Sequence, residues 1–263
     1  MKHVSHLQAR PPLLDTYCKA NPAATDWEAF KKDCRGGDRE LLDALTARQR
    51  NLCAFCEIEL LDYERHVEHW RPKRLATPMA NLTFDVVNLA ASCENLTKAH
   101  WYKDMASRSG NPHPGPNLSC GPAKGGDDPQ AQTPRPYDVE ELPVTPSIFS
   151  VGRDGTLSVN TAAAAAAALA LDRLEATIDF LKLNCTRLKN ARKAIMETLD
   201  AQFDAMTTTQ QLDPTIALSQ IAAEQVRLGQ DGSLPSFITT LRSYCGIFSE
   251  VQLASIPDWA VRP

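Results

Sequence analysis

Four cysteines constrain this chain more than any other feature. Cys53 and Cys56 are separated by two residues, and Cys93 and Cys120 follow singly, each beside turn residues. The first spacing lets one knuckle offer two thiolates to a single tetrahedral zinc, and the later pair can close a four-thiolate site. A second C-x-x-C is missing, because Cys93 is followed by Glu94-Asn95-Leu96, so the fourth ligand must arrive across a long loop. The competing reading of Cys53/Cys56 is a redox pair, which the lack of a surrounding βαβ pattern disfavours. Cys18, Cys34, Cys185 and Cys245 fall in expected helices or at their edges and read as buried thiols.

The compartment supports a metal over disulfides. Met1-Lys2-His3-Val4-Ser5-His6 lacks the apolar stretch of a secretory signal, and no apolar run is long enough for a membrane span, so the expected location is cytoplasmic. In a reducing compartment such cysteines bind metal rather than each other. A net charge of -4 argues against a uniformly basic coat protein for nucleic acid but leaves room for a local basic patch.

Along its 263 residues the chain reads as four segments, with an α+β and predominantly helical content overall. Residues 1–51 form an N-terminal helical scaffold. Its first 25 residues look loosely structured; a helix capped by Thr25 or Asp26 ends at Gly36-Gly37, and another covers Arg39–Arg50. Residues 52–128 hold the cysteines, with two short strands at Leu52–Leu60 and Arg65–Trp70 and a short helix through Lys98–Met105. Half of the 18 prolines lie within 107–147, which excludes regular helix there and leaves an extended loop interrupted where Cys120 is fixed. Residues 129–159 are a proline-rich linker ending in a possible hairpin about Asp154-Gly155. Residues 160–263 are helical: an alanine run capped by Asn160 or Thr161 continues to about Phe203, followed by helices over Thr215–Arg227 and Pro235–Tyr244.

Within the cysteine frame stands Arg65-His66-Val67-Glu68-His69-Trp70-Arg71-Pro72-Lys73. Phosphodiester hydrolysis needs a base for water and a cation for developing charge. His69 supplies an imidazole base, and Glu68 a hard oxygen ligand for Mg²⁺ or Mn²⁺. Outside such a frame the pair would read as a surface Glu beside a structural His. Asn88 offers an amide to hold the base-bearing loop, or else caps a local turn. His66 would face away from His69 in a strand and ranks first as supporting or surface and second as a metal ligand. Arg65, Arg71, Lys73 and Arg74 form a basic strip suited to phosphates, with a solvated charged turn as the alternative. Trp70 reads as core.

The runs Cys-Ala-Phe-Cys-Glu (53–57), Val-Glu-His-Trp-Arg-Pro-Lys (67–73), Asn-Leu-Ala-Ala-Ser-Cys (88–93) and Cys-Gly-Pro-Ala-Lys-Gly (120–125) resemble the HNH endonucleases of bacterial anti-phage defence. The likeness is to the PtuB-like effectors of Septu systems and some retrons. It covers residues 52–126, with weaker flanking matches at Trp27…Phe30, Gln49…Leu52 and Leu181…Arg192. It implies a ββα-metal fold pinned by structural zinc and inserted among helices, with His69 as general base, Glu68 on the catalytic metal and Asn88 as the middle Asn. Lys124 keeps the family's basic position. The implied partners are DNA, with tRNA as the alternative, a separate ABC-type PtuA-like ATPase, and in retrons a reverse transcriptase with its RNA–DNA. The chain itself has no phosphate-binding G-x-x-x-x-G-K-[ST] loop.

One departure stands out. The family places a His or Asn directly after the last knuckle cysteine, where it ligates the catalytic metal; here that residue is Gly121. The replacement is open among Asp127, Asp128, His113 and a water, with Asp127 the first choice. A rival to the nuclease reading is a non-catalytic zinc module that docks a partner or nucleic acid.

Overall fold

The computed structural model describes residues 1–93 and 117–259. The expected helix at Lys98–Met105 and the candidate ligand His113 lie outside the described residues. The fold is α+β and roughly half helical, with two two-stranded antiparallel sheets among the described residues. None of the described helices is long and apolar enough to cross a membrane.

The N-terminal residues are not loose. Met1, Lys2, Val4 and His6 are buried, and the Val4 amide donates to the Val139 carbonyl. Their apolar side chains join the core, and helix α1 (Pro12–Ala20) follows at once. Asp26 caps α2 (Trp27–Asp33), accepting from the Glu28 and Ala29 amides. Helix α3 (Gly37–Arg48) begins after Gly36 at φ 86°, so the glycine pair starts a helix more than it ends one.

The strand expected at Leu52–Leu60 is absent. The Cys53 amide donates to Ile58, the Glu57 amide donates back to Cys53, and a single bridge, Leu52 to Glu59, remains. Turning the thiols to one point uses up the hydrogen bonds a strand would need. Strand β1 (Arg65–His69) pairs instead with β2 (Leu89–Cys93), Arg65 opposite Cys93 and His69 opposite Leu89. Every residue of β2 is buried. Its outer edge is closed by Gln49, whose side chain accepts from the Ala91 amide at 2.7 Å and donates to the Ala91 carbonyl at 2.8 Å. That satisfies backbone groups that would otherwise be orphaned.

After Cys120, a short helix α4 (Cys120–Lys124) breaks the proline-rich stretch. The hairpin forms as expected: β3 (Phe149–Val151) pairs with β4 (Leu157–Val159), and Gly155 sits at φ 79°. The long helix expected to run to Phe203 is three: α5 (Thr161–Ala166), α6 (Leu171–Phe180) and α7 (Thr186–Asp204). At each break a residue takes the left-handed conformation, Ala168 at φ 54° and Lys182 at φ 50°. The next amide then reaches back five residues, Leu169 to Ala164 and Leu183 to Ile178. These are Schellman stops made without glycine. They fold Leu174, Ile178, Leu181, Leu183 and Leu188 onto one core shared with the knuckle. Helices α8 (Pro214–Gln225), α9 (Ile238–Cys245) and α10 (Ile247–Ala254) complete a second core around Leu199, Ile221, Ile238 and Leu253.

Glu57 ties the knuckle to this C-terminal layer. Its carboxylate accepts from the Thr239 hydroxyl at 2.6 Å and the Thr239 amide at 3.0 Å, and lies 3.2 Å from the Met1 amine. All are buried. Glu57→Ala leaves that charge and those donors uncompensated and is expected to cost about 3–5 kcal/mol. Equilibrium denaturation reads this as a lower midpoint at unchanged slope.

Candidate metal centre and active site

Three separate chain segments bring their sulfurs to one buried point. Cys53 and Cys56 come from the knuckle, Cys93 ends β2, and Cys120 starts α4, with all four ligand atoms within 4.8 Å of one another. Cys53 Sγ lies 3.8 Å from Cys120 Sγ, and Cys56 Sγ 3.7 Å from Cys93 Sγ. A tetrahedral ion with Zn–S bonds of about 2.3 Å spaces its sulfurs about 3.8 Å apart, so the group fits zinc.

Electrostatics favour the same occupant. Burial raises the Cys53 thiol, but hydrogen bonds from the other three cysteines hold it well below its ordinary value, while Cys93 and Cys120 are pushed well above theirs. Four thiols in one dry pocket cannot all ionise without a cation between them. The Cys93 amide also points at Cys53 Sγ, 3.5 Å away. Lys2, Arg187 and Arg192 are buried nearby; burial lowers each, while Glu57 first and then the sulfurs favour the charged form of Lys2 and Arg192, and the sulfurs that of Arg187. Four thiolates on a divalent ion leave a net charge of about −2, which these cations offset. Of the other cysteines, Cys185 and Cys245 are buried as expected, but Cys18 and Cys34 are half-exposed.

Glu68 projects from the face of β1 that it shares with His66, two residues earlier. Its Oε2 lies 3.1 Å from His66 Nε2 and its Oε1 3.0 Å from Lys124 Nζ. Burial raises this carboxyl, yet the His66 hydrogen bond and the Lys124 charge hold it below its ordinary value. A Cβ on Gly121 would stand 2.1 Å from Glu68 Oε2. The residue after Cys120 is therefore a glycine because the carboxylate occupies the space a side chain would take.

His69, on the opposite face at the strand's end, packs edge-on against Trp27 with ring centroids 5.1 Å apart. Its Nε2 is 3.1 Å from the Thr83 carbonyl. A carbonyl only accepts, so Nε2 carries the proton and Nδ1 holds the free lone pair. Burial pushes this imidazole down to about 4, which keeps it neutral near pH 7.

Asn88 clamps the turn after His69. Its Oδ1 accepts from the Arg71 amide at 2.7 Å, and its Nδ2 donates to the carbonyls of Arg71 at 3.0 Å and Leu82 at 2.7 Å. The Asn88 carbonyl accepts from the Trp70 amide as well. Asn88→Ala is expected to cost about 1–3 kcal/mol through the unpaired Arg71 amide, and to loosen the Trp70–Arg71 segment. Thermal unfolding together with hydrogen exchange at those two amides checks both effects.

The basic strip is dispersed. Arg65 braces Asp43 and Asp62, each at 2.6 Å. Arg71 makes a forked pair with Asp128 at 3.2 and 2.9 Å, which lowers that carboxyl. Arg74 donates to the Gly126 carbonyl. Lys73 is half-exposed over Trp27, 3.8 Å from Glu28. Lys124, expected to face phosphate, is buried against Glu68 instead, because a carboxylate in a dry setting needs a cation. Asp127 is exposed and lines a cleft of about 570 Å³ with Lys124, Asp172, Glu175, Asp179 and Lys182. Asp128 is committed to Arg71.

Sequence reading ranked His66 below Glu68 as a ligand and did not use the two-residue strand period that puts both on one face. It also had no signal for Lys2 or Arg187. Neither a scan of protein-family models nor a search of curated proteins finds a match to this chain.

Proposed function

We propose that this chain is a metal-dependent endonuclease of the HNH kind, hydrolysing phosphodiester bonds of nucleic acid, DNA first. The observation that carries this reading is a neutral imidazole and a cation-held carboxylate on neighbouring residues at one strand end, one on each face, framed by a four-cysteine pocket that fits zinc. The antiparallel pair β1–β2, with Asn88 at its mouth, supplies the two strands of a ββα-metal core.

In this mechanism the Thr83 carbonyl fixes the tautomer of His69, and Nδ1 removes a proton from the attacking water. Asn88 holds the segment from His69 to Arg71 so that this lone pair keeps its aim. Glu68, oriented by Lys124, is the protein ligand for a divalent cation, which when bound stabilises charge on the leaving oxygen. The four cysteines would hold a structural zinc, and by fixing the start of α4 at Cys120 they place Lys124 and Gly121 against Glu68. Lys73, half-exposed beside Trp27, is the basic side chain best placed for a phosphate. In an anti-phage system an ABC-type ATPase in a separate chain would hold the nuclease in check.

A second reading, a zinc module that docks a partner or nucleic acid without cutting, is favoured by one observation: Arg71 and Lys124 are already paired within the protein. Supercoiled plasmid and total tRNA, incubated with zinc-loaded protein and Mg²⁺ or Mn²⁺, with and without the ATPase, separate the two. Cutting that EDTA abolishes supports the nuclease and identifies its substrate. Binding without cutting in every mixture supports the docking module.

A further inference from the structure

The nuclease reading leaves the catalytic cation with one protein ligand, Glu68, because Gly121 replaces the usual second one. We propose that His66 is that second ligand, forming with Glu68 a two-residue divalent cation site on one face of β1, selective for Mn²⁺-type ions over Mg²⁺. The inference rests on the reading above and deepens it.

Three observations carry it. First, the strand period puts His66 and Glu68 side by side, and His66 Nε2 lies 3.1 Å from Glu68 Oε2. Ligand atoms about 2.1 Å from an octahedral ion in adjacent positions are about 3.0 Å apart, so an ion can replace the shared proton with little movement of either side chain. Second, Lys124 Nζ stands 3.0 Å from Oε1 and orients the carboxylate so that Oε2 is the oxygen facing His66. Third, the other described candidates are placed elsewhere. Asp128 is forked to Arg71, Asp127 is exposed at the cleft, and any side chain at position 121 would collide with Glu68.

The metal preference follows from the donors. Mg²⁺ favours all-oxygen octahedra and gives up water reluctantly, whereas an imidazole nitrogen beside a carboxylate suits first-row ions such as Mn²⁺. Waters and a substrate phosphate would fill the remaining positions.

The test is Mn²⁺ binding to zinc-loaded full-length protein, followed by electron paramagnetic resonance without nucleic acid. Wild type is compared with His66→Ala, Glu68→Gln and Asp127→Asn, each matched for zinc content and thermal midpoint. The expected result is one Mn²⁺ site showing ¹⁴N coupling from imidazole. His66→Ala and Glu68→Gln should each weaken it tenfold or more, Asp127→Asn should leave it unchanged, and Mg²⁺ should compete poorly. His66→Gln, a polar replacement, should also lose the ¹⁴N signal. Wild-type affinity in His66→Ala, a site without ¹⁴N coupling, or no Mn²⁺ site would each overturn the proposal. Because binding is read apart from cleavage, a nuclease that cuts normally with His66→Ala would retain the nuclease reading while losing this ligand.

Discussion

Cys53→Ala is expected to unfold the first core, not merely to weaken it. Zinc binding to such sites contributes about 10–16 kcal/mol at neutral pH, comparable to or larger than the whole stability of a typical domain. Cys53 Sγ also lies 3.8 Å from Cys120 Sγ and 3.5 Å from the Cys93 amide nitrogen, so its loss uncouples the knuckle from α4 and from β2 together. The variant should lose bound zinc, show no cooperative thermal transition for this core, and enter inclusion bodies on expression. Cys18→Ala, at a half-exposed thiol, should unfold within about 0.5 kcal/mol of wild type. A strong chelator should reproduce the Cys53 result on wild-type protein, whereas a reducing agent alone should not. Elemental analysis finding no zinc in folded wild-type protein would remove the basis for this prediction.

The metal frame was legible because ligand spacing is a local property: C-x-x-C turns two thiols to one side whatever surrounds it. The helix caps at Asp26 and Asn160 and the Asp154-Gly155 hairpin were legible for the same reason. What stayed hidden depends on distant partners or on unusual local choices. Helix ends at Ala168 and Lys182 carry no glycine, so the periodicity of leucines ran through them unbroken. The partner of β1 is β2 rather than the adjacent segment, because the knuckle spends the hydrogen bonds of residues 53–58 on itself. The burial of residues 1–6 rests on distant contacts, of His3, Val4 and His6 with residues 138–142 and of Met1 with Glu57 and Thr239.

Charge was the least legible property at the candidate site. Four basic residues close in sequence suggested a phosphate strip, yet each points to a different partner: Asp43 and Asp62 for Arg65, Asp128 for Arg71, the Gly126 carbonyl for Arg74 and Glu28 for Lys73. Lys124 turns inward to Glu68. Sequence proximity gives the count of charges, while their availability depends on which carboxylates the fold brings near.

His69→Ala has the largest expected effect on activity. Removing a general base costs on the order of 10²–10⁴-fold in rate. The cost to folding should be much smaller than that of Cys53→Ala, because the side chain loses one hydrogen bond to the Thr83 carbonyl and its packing on Trp27. His69→Gln, which keeps an N–H for Thr83 but offers no imidazole lone pair, should be folded more like wild type and equally slow.

Single-turnover cleavage of supercoiled plasmid in Mn²⁺ by wild type, His69→Ala and His69→Gln, at matched zinc content and both with and without a candidate ABC-type ATPase, addresses the central claim most directly. The account predicts a drop of at least 100-fold in both variants, with zinc content and fold retained. Cleavage by either variant at the wild-type rate would contradict it and leave the four-cysteine pocket as the frame of a docking module.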